Sequence, residues 1–210
     1  MKKIIILGLL LMSTTFVKAQ INAVTESGEE VFLYDNGTWK YANEKDDAEA
    51  EIKINDKPFT KDKNSTFVVK SKKANIGIWI NPKDWSFTKS ASNEDAEFQF
   101  QKKGEDLYGM LIAEKLEIPI EALKNIAIQN AKSVATDIKV VSEEYRNVNG
   151  IKVLMMQMAG TIQGMKIVYC GYYYSNDTGT IQLLTYTGEN LLKDYHNDIE
   201  TFLNGLVKLE

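Results

Sequence analysis

The sequence has few of the side chains that most enzymes and metal proteins need, with one cysteine, one histidine and three prolines in 210 residues. A lone cysteine has no partner for an intramolecular disulfide, so the fold must be held by its hydrophobic core. Cys170 lies among apolar and aromatic residues of a predicted strand and is interpreted as a buried, inert thiol. Because His196 has no second His or Cys at a metal-ligand spacing, neither a metal nor a cofactor is predicted.

Other arrangements that carry catalysis are missing as well. The sequence has no nucleophile elbow, no phosphate-binding loop and no paired-cysteine motif. Carboxylates occur in pairs, as Glu143 with Glu144 and Asp194 with Asp198, but nothing in their sequence surroundings indicates burial or separated pKa values. A non-enzymatic role is therefore predicted, and a hydrolase built on His196 or on these carboxylates ranks last.

The first segment has the pattern of an export signal. Lys2 and Lys3 precede the apolar run from Ile4 to Met12, and a polar stretch then ends at Ala19. This pattern predicts a signal peptide over residues 1–19, cleaved between Ala19 and Gln20. A membrane-spanning helix needs about 20 apolar residues, and the apolar run is shorter than that. No later segment is apolar enough to span a membrane either. The mature chain is therefore predicted to be periplasmic or secreted, with no membrane span. An uncleaved anchor is the alternative.

The charge balance argues against nucleic acid as a partner. Removal of Lys2, Lys3 and Lys18 with the signal lowers the formal net charge from -4 to -7. The remaining basic residues are scattered among acidic ones, whereas phosphate recognition requires a concentrated basic surface.

Two short segments precede the main domain. Residues 20–42 are predicted to contain a β-hairpin, in which alternating residues from Val31 to Tyr34 and from Thr38 to Tyr41 flank a turn at Asp35 to Gly37 that accepts positive φ. Residues 43–57 are rich in charge and poor in apolar side chains, which predicts a solvated linker. An isolated two-stranded hairpin is marginal in water, so it should pack on another surface or join another chain.

Residues 58–210 have the pattern of one α+β domain. Short alternating strands come first, from Ile76 onward, and are followed by a helix that begins after Pro119. A meander of four strands connected by short turns follows, and short connections force antiparallel neighbours. A terminal helix after Gly188 presents one apolar face. The order predicts an antiparallel β-sheet flanked by helices.

This order of elements resembles the PsbP-like family. The resemblance rests on the stretch from Ile78 to Phe87, in which a strand is followed by Asn81-Pro82 and a Trp-opened strand, and on the single mid-chain helix, the meander and a terminal helix that ends at Phe202 to Leu206. It covers roughly residues 66–210 and implies an α/β/α sandwich with a non-enzymatic, accessory or binding role. No binding residue of the family can be carried over to this chain.

Aromatic side chains are the candidates for ligand binding. Tyr172, Tyr173 and Tyr174, with Tyr169 and Tyr186, form the densest aromatic stretch. Exposed in a groove, such rings would stack on sugars or hold a peptide. Ordinary filling of the sheet is the simpler interpretation, because strand alternation sends Tyr172 and Tyr174 to one face and Tyr173 to the other. The candidate ligand-binding residues are Trp79, Trp85, Tyr172 and Tyr174.

Two hypotheses for function follow. The first is an exported, non-catalytic binding or accessory module of the bacterial envelope, which contacts another protein and uses the N-terminal hairpin to extend the interface. The second is a small-ligand or glycan-binding protein that uses the aromatic patch, which requires Tyr172 or Tyr174 to be exposed in a concavity. The envelope protein or small ligand that would serve as partner is not defined by any motif.

Overall fold

The structure is a computed structural model that describes residues 20–26, 28–34, 37–42, 52–89 and 96–209. The chain divides into two compact units, Met1–Lys45 and Asp46–Glu210. The predicted signal peptide over residues 1–19 and residues 43–51 of the predicted linker lie outside the described residues.

The N-terminal unit is a small antiparallel sheet. It contains β1 (Gln20–Val24), β2 (Glu30–Tyr34) and β3 (Trp39–Tyr41), in the order β1-β2-β3. The predicted hairpin is the pair β2 and β3, and Gly37 has the positive φ, 81°, that the turn requires. Strand β1 was not predicted; it pairs with β2 so that Ile21 lies opposite Leu33.

The second unit is built on two sheets. The larger has eight strands in the order β4-β10-β11-β12-β13-β9-β8-β7, and the smaller has three in the order β14-β6-β5. The first strands of the unit are β4 (Ile54–Phe59), β5 (Phe67–Lys70), β6 (Ile76–Ile80), β7 (Trp85–Lys89), β8 (Ala96–Lys102) and β9 (Tyr108–Glu114). The later ones are β10 (Lys139–Val148), β11 (Ile151–Ile162), β12 (Met165–Asn176), β13 (Gly179–Gly188) and β14 (Leu206–Lys208).

The four-strand meander was predicted correctly. Strands β10 to β13 pair antiparallel in chain order, and their connections are the tight turns that the sequence indicates. Asn149 and Gly150 both adopt positive φ, 48° and 85°, at the turn between β10 and β11. Asn and Gly tolerate this region best, which is why the turn is readable from sequence.

Two helices cover the larger sheet from opposite sides. Helix α1 (Ile120–Val134) begins directly after Pro119, and α2 (Leu192–Leu203) follows a short 3-10 helix (Glu189–Leu191). One core cluster joins α1 to Tyr173 of β12, and the other joins α2 and the smaller sheet to Tyr172 of the same strand. The fold is therefore an α+β sandwich dominated by antiparallel pairing, as predicted.

The end of α1 differs from the prediction. The spacing of three and four residues from Ile120 to Val134 predicts one apolar face that includes Val134, but Val134 is 61% exposed. The helix stops at this residue and the chain turns, so that Ala135 and Ile138 fill the space under the helix end instead.

Part of the predicted linker is a strand. Residues 54–57 belong to β4, which lies parallel to β10 at the edge of the eight-stranded sheet. The residues 58–210 predicted as the domain therefore lack the start of this strand. The strand was not recognised from sequence because most of its residues are polar or charged and exposed. Pro58 is acceptable in β4 because an edge strand has one unpaired side.

Candidate functional site

The four aromatic candidates do not form one surface. Trp85 and Tyr172 are buried, whereas Trp79 and Tyr174 are partly buried. The Trp85 ring packs on Phe202 of α2 with 4.4 Å between ring centroids. Neither Trp85 nor Tyr172 offers a ring face to a ligand, and Tyr172 is not exposed in a concavity as the aromatic-patch hypothesis required.

The other tyrosines follow the predicted alternation. Tyr173 packs in the cluster under α1, and Tyr172 lies on the opposite face of the sheet. Tyr169 shares the face of Tyr173, and its ring packs on Tyr186, which stacks on Tyr108 at 5.3 Å. The aromatic stretch is thus divided between two layers of the fold.

Tyr172 belongs to a polar network around Arg146 of β10. The Arg146 side chain is only 11% exposed, and its Nη1 donates to the Tyr172 hydroxyl at 3.2 Å. Its Nε donates to Glu144 Oε1 at 2.5 Å, and its Nη1 lies 3.5 Å from Glu200 Oε1. The guanidinium also lies over the ring of Phe59 at 4.3 Å. A nearly buried cation is tolerated here because carboxylates, a hydroxyl and an aromatic face surround it.

The electrostatics of the network favour the charged forms. Burial alone would lower the pKa of Arg146, but its hydrogen bonds to Tyr172 and Glu144 raise that pKa above its usual value. Burial alone would raise the pKa of Glu144, but hydrogen bonds from Asn55 and Arg146 outweigh it and lower that pKa. Both side chains are charged at neutral pH, so the network stabilises the structure and does not take up or release protons near that pH.

A chain of hydrogen bonds leads from this network to the surface. Because Arg146 donates to the Tyr172 oxygen, the Tyr172 hydroxyl proton is directed to Asn204 Oδ1, 2.7 Å away. That arrangement orients the Asn204 amide so that its Nδ2 faces away from Tyr172. The Asn149 amide holds the same region by donating to the carbonyl oxygens of Asn204 and Leu206 at 2.8 and 2.7 Å.

Asn204 opens onto a cleft of about 420 Å³, here called the α2 cleft. One wall is the segment after β4 and the other is the C-terminal half of α2. Its lining side chains are all polar: Thr60, Lys61, Asp62, Lys63, Asn197, Glu200, Thr201 and Asn204. The volume falls within the range of small-ligand sites.

The N-terminal unit presents a different kind of surface, here called the apolar face. Two cross-strand rows lie on it, and their members are Ile21, Leu33 and Trp39 in the first row and Ala23, Val31 and Tyr41 in the second. Four of these side chains are substantially exposed, with Ile21 at 60%, Leu33 at 38%, Trp39 at 47% and Tyr41 at 37%. No charged side chain interrupts the two rows.

The structure also places the other two candidates for chemistry, the lone cysteine and the lone histidine. Cys170 is buried, and burial raises the pKa of its thiol to about 11. His196 is an exposed residue of α2. Over the part of the chain that the structure describes, no group of three His, Cys, Asp or Glu side chains could hold a metal ion, and no helix is long and apolar enough to cross a membrane.

Sequence reasoning missed the residues that build the α2 cleft. Alternation in β10 places Glu144 and Arg146 on one face, which was readable in principle. Only the fold brings Arg146 to Tyr172 and Glu200, and Tyr172 to Asn204, because these residues are far apart in sequence.

Comparison with solved structures identifies the fold. No protein-family model matches the chain, and no curated protein matches its sequence. The cyanobacterial PsbP protein CyanoP from Synechocystis sp. PCC 6803 superimposes with a TM-score of 0.51 at 13% identity, over 69% of this chain and 93% of that one. The chain has a PsbP-like fold. The resemblance predicted from sequence is confirmed at the level of the fold.

Two further solved structures align with this chain. A Pseudomonas aeruginosa protein of unknown function has a TM-score of 0.43 and 11% identity, over 67% of this chain and 95% of that one. A Bacteroides thetaiotaomicron protein has a TM-score of 0.44 and 12% identity, over 68% of this chain and 48% of that one.

Proposed function

We propose that this PsbP-like chain is an exported, non-catalytic binding module of the bacterial envelope that acts through protein–protein contacts. The observation that carries the proposal is the apolar face of the N-terminal sheet. Contiguous exposed apolar side chains on a protein surface are typical of interaction sites. Trp39 and Tyr41 form a T-shaped pair on it, with ring centroids 5.1 Å apart, and aromatic side chains of this kind dominate interface energetics.

The proposed occupant is another protein with an apolar patch and a basic rim. The segment that connects β1 to β2 carries Glu26 and Glu29, so one end of the apolar face has an acidic border. The chain from Gln20 has a formal net charge of -7, which disfavours a second copy as the partner through like-charge repulsion. A basic rim on the partner would complement this border and speed association.

The state of the reactive groups supports a non-catalytic role. The pKa of Cys170, raised to about 11 by burial, keeps its thiol protonated and unreactive at neutral pH. Glu144 is held as a carboxylate by Arg146 and Asn55 and so is a poor proton donor. Side chains locked in these states suit a fixed binding scaffold better than acid–base or nucleophilic chemistry.

A crosslinking and titration experiment tests the protein-binding role. The chain from Gln20 to Glu210 carries a photo-crosslinking amino acid at position 39, is exposed to an envelope extract, and each crosslinked protein is then purified and titrated against the unmodified chain. We expect Leu33→Asp to weaken binding of the true partner by about tenfold or more, because it places a charge at the centre of the apolar face.

The matched control is Asn22→Asp, which adds the same charge on the opposite face of the same sheet. We expect it to leave the affinity within about twofold. Equal effects of the two variants, or an unchanged affinity in both, would contradict the proposal. If the chain sediments as a dimer and Leu33→Asp makes it a monomer, the face binds a second copy of the chain instead.

The export part of the proposal rests on the sequence of residues 1–19. Lys2 and Lys3, the apolar run and Ala19 match a signal peptide. Cell fractionation with N-terminal sequencing should find the chain outside the cytoplasm, beginning at Gln20. A chain that stays in the cytoplasm with residues 1–19 intact would overturn this part without affecting the protein-binding role.

A further inference from the structure

The α2 cleft has the composition of a binding site, although it is separate from the apolar face. Two of its lining residues are lysines and two are acidic, so their formal charges cancel. A cleft without net charge gives no general preference for an anion or a cation. Selectivity in it must come from hydrogen bonds to its individual side chains.

Most of the charged groups are already engaged within the protein. Lys61 Nζ donates to the Ser65 carbonyl at 3.2 Å and lies over the Trp79 ring at 5.0 Å. Glu200 is paired with Arg146, and Asp62 Oδ1 accepts from the backbone N–H of Asn64 at 2.7 Å. These contacts reduce the charge available to a ligand.

The neutral side chains of the cleft remain available for hydrogen bonds to a ligand. The Asn204 Nδ2 makes no hydrogen bond within the described part of the chain, and its direction is set by the Tyr172 hydroxyl that donates to Oδ1. Asn197 and Thr201, one helical turn apart on α2, add an amide and a hydroxyl, and Thr60 adds a hydroxyl from the facing wall. The cleft thus offers closely spaced neutral donors and acceptors, at least one of them held in a fixed direction.

We infer that the α2 cleft binds a neutral saccharide, with the Asn204 amide as its oriented donor. Each sugar hydroxyl both donates and accepts, which matches a wall of amides and hydroxyls better than it matches an ionic site. Three of the four charged lining side chains, those of Lys61, Asp62 and Glu200, have internal partners, which leaves Lys63 as the remaining charge for an ionic ligand. The site uses polar side chains at the surface and does not require the buried rings of Trp85 or Tyr172.

Nuclear magnetic resonance titration of the chain from Gln20 to Glu210 tests this inference. The probes are neutral hexoses, N-acetylhexosamines and their disaccharides, with free amino acids and phosphorylated hexoses as charged probes, each added to about 20 mM so that a Kd near 1 mM would saturate. We expect at least one probe to shift the amide signals of residues 60–63 and 197–204 with a saturable curve. Binding should not weaken when salt is raised, because no ion pair forms.

Variants on the cleft separate the saccharide site from a non-specific effect. Asn204→Asp keeps the Oδ1 acceptor for Tyr172 but removes the amide donor, and Thr201→Val removes a hydroxyl while keeping the shape of the side chain. We expect each to weaken binding of the responding sugar by about tenfold. The control Asn130→Ala, on an exposed position of α1, should leave it unchanged.

Three outcomes would overturn the inference. One is the absence of saturable shifts at the cleft with every probe, and another is saturable binding that maps elsewhere or survives both cleft variants. The third is tighter binding of a free amino acid or a phosphorylated sugar than of its neutral counterpart, which would show that Lys63 and the acidic side chains set the selectivity. None of them bears on the protein-binding role of the apolar face.

Discussion

Two neighbouring tyrosines of β12 differ in whether their buried hydroxyl has a hydrogen-bond partner. Tyr172 and Tyr173 are each fully buried, and they point to opposite faces of the sheet. The Tyr172 hydroxyl accepts from Arg146 and donates to Asn204. The Tyr173 hydroxyl is buried with no hydrogen-bond partner among the described residues. Strand alternation in the sequence predicts that the two side chains lie on opposite faces of the sheet, but it does not predict which hydroxyl has a hydrogen-bond partner.

Replacing each tyrosine with phenylalanine should therefore have opposite effects. Tyr173→Phe removes an unpaired buried hydroxyl and should raise the free energy of unfolding by about 1 kcal/mol. Tyr172→Phe removes two hydrogen bonds, one of them to a charged group, and should lower it by about 2 kcal/mol. Urea unfolding of the two variants and the parent chain, measured side by side, checks the signs. Changes of the same sign in both variants would show that the hydroxyl partners do not control stability here.

At the scale of elements, the strand β4 links the linker region to the core of the second unit. Backbone N–H groups of Tyr145 and Asn149 donate to the carbonyl oxygens of Lys53 and Phe59. The Phe59 ring also covers the guanidinium of Arg146. The strand therefore completes both an edge of the sheet and one side of the Arg146 network.

Two truncated chains isolate the contribution of β4. A chain from Ile52 to Glu210 retains the strand and one from Thr60 to Glu210 lacks it, while both lack the N-terminal unit. We expect the shorter chain to be less stable by about 3 kcal/mol, because it loses the packing of Phe59 and the pairing partners of β10. Denaturant unfolding of both gives the difference. The control is Ile54→Ser in the longer chain, a side chain that is 65% exposed and should change stability by less than about 0.5 kcal/mol. Equal stability of the two truncated chains would mean that β4 is a passive edge.

At the scale of the whole molecule, buried acids determine how stability depends on pH. Burial raises the pKa of the Cys170 thiol from 9.0 to about 11, and it also raises the pKa of Tyr169, Tyr173 and Tyr186 above 10.0. Between pH 9 and the raised values, the folded chain binds more protons than the unfolded chain. The free energy of unfolding must therefore fall as pH rises through this range.

The alkaline loss should be measurable and should depend on Cys170. We expect the free energy of unfolding to be nearly constant from about pH 6 to 8 and to decrease steadily above pH 9. In Cys170→Val the decrease between pH 9 and 10 should be smaller, because this variant keeps an apolar side chain but cannot ionise. Denaturant unfolding at a series of pH values provides the test. A Cys170→Val profile that parallels the parent profile through that range would exclude the thiol as a cause.

At acid pH the free energy of unfolding changes with pH in the opposite direction, and a different side chain is responsible. The pKa of Glu144 is lowered from 4.5 by hydrogen bonds from Asn55 and Arg146 that outweigh its burial. Its contribution to stability is complete above the unfolded value and is lost as pH falls through the folded value. Together, the two ends place the most stable range of the protein between about pH 5 and 9.

Local pattern was sufficient for most of the fold. The meander was predicted because Asn149-Gly150 and similar turn residues allow only short antiparallel connections, and α1 was predicted because Pro119 precedes a periodic apolar run. The parallel edge strand β4 was not predicted, because its residues are mostly polar and its pairing with β10 spans about 90 positions of sequence. The prediction that Val134 lies on the apolar face of α1 was also wrong, because Val134 is the last residue of the helix and is exposed.

The amino-acid sequence by itself determined the α+β class, the order of the elements, the alternation of Tyr172 and Tyr173, and the inert surroundings of Cys170, since each depends on residues close together in the chain. Only the tertiary structure decided that Trp85 and Tyr172 are buried, that Arg146 directs the Asn204 amide into a polar cleft, and that β1 completes an apolar face. Those features depend on contacts between distant segments, such as β10, β12 and α2, and such contacts form only when the core excludes water and brings these strands and helices together.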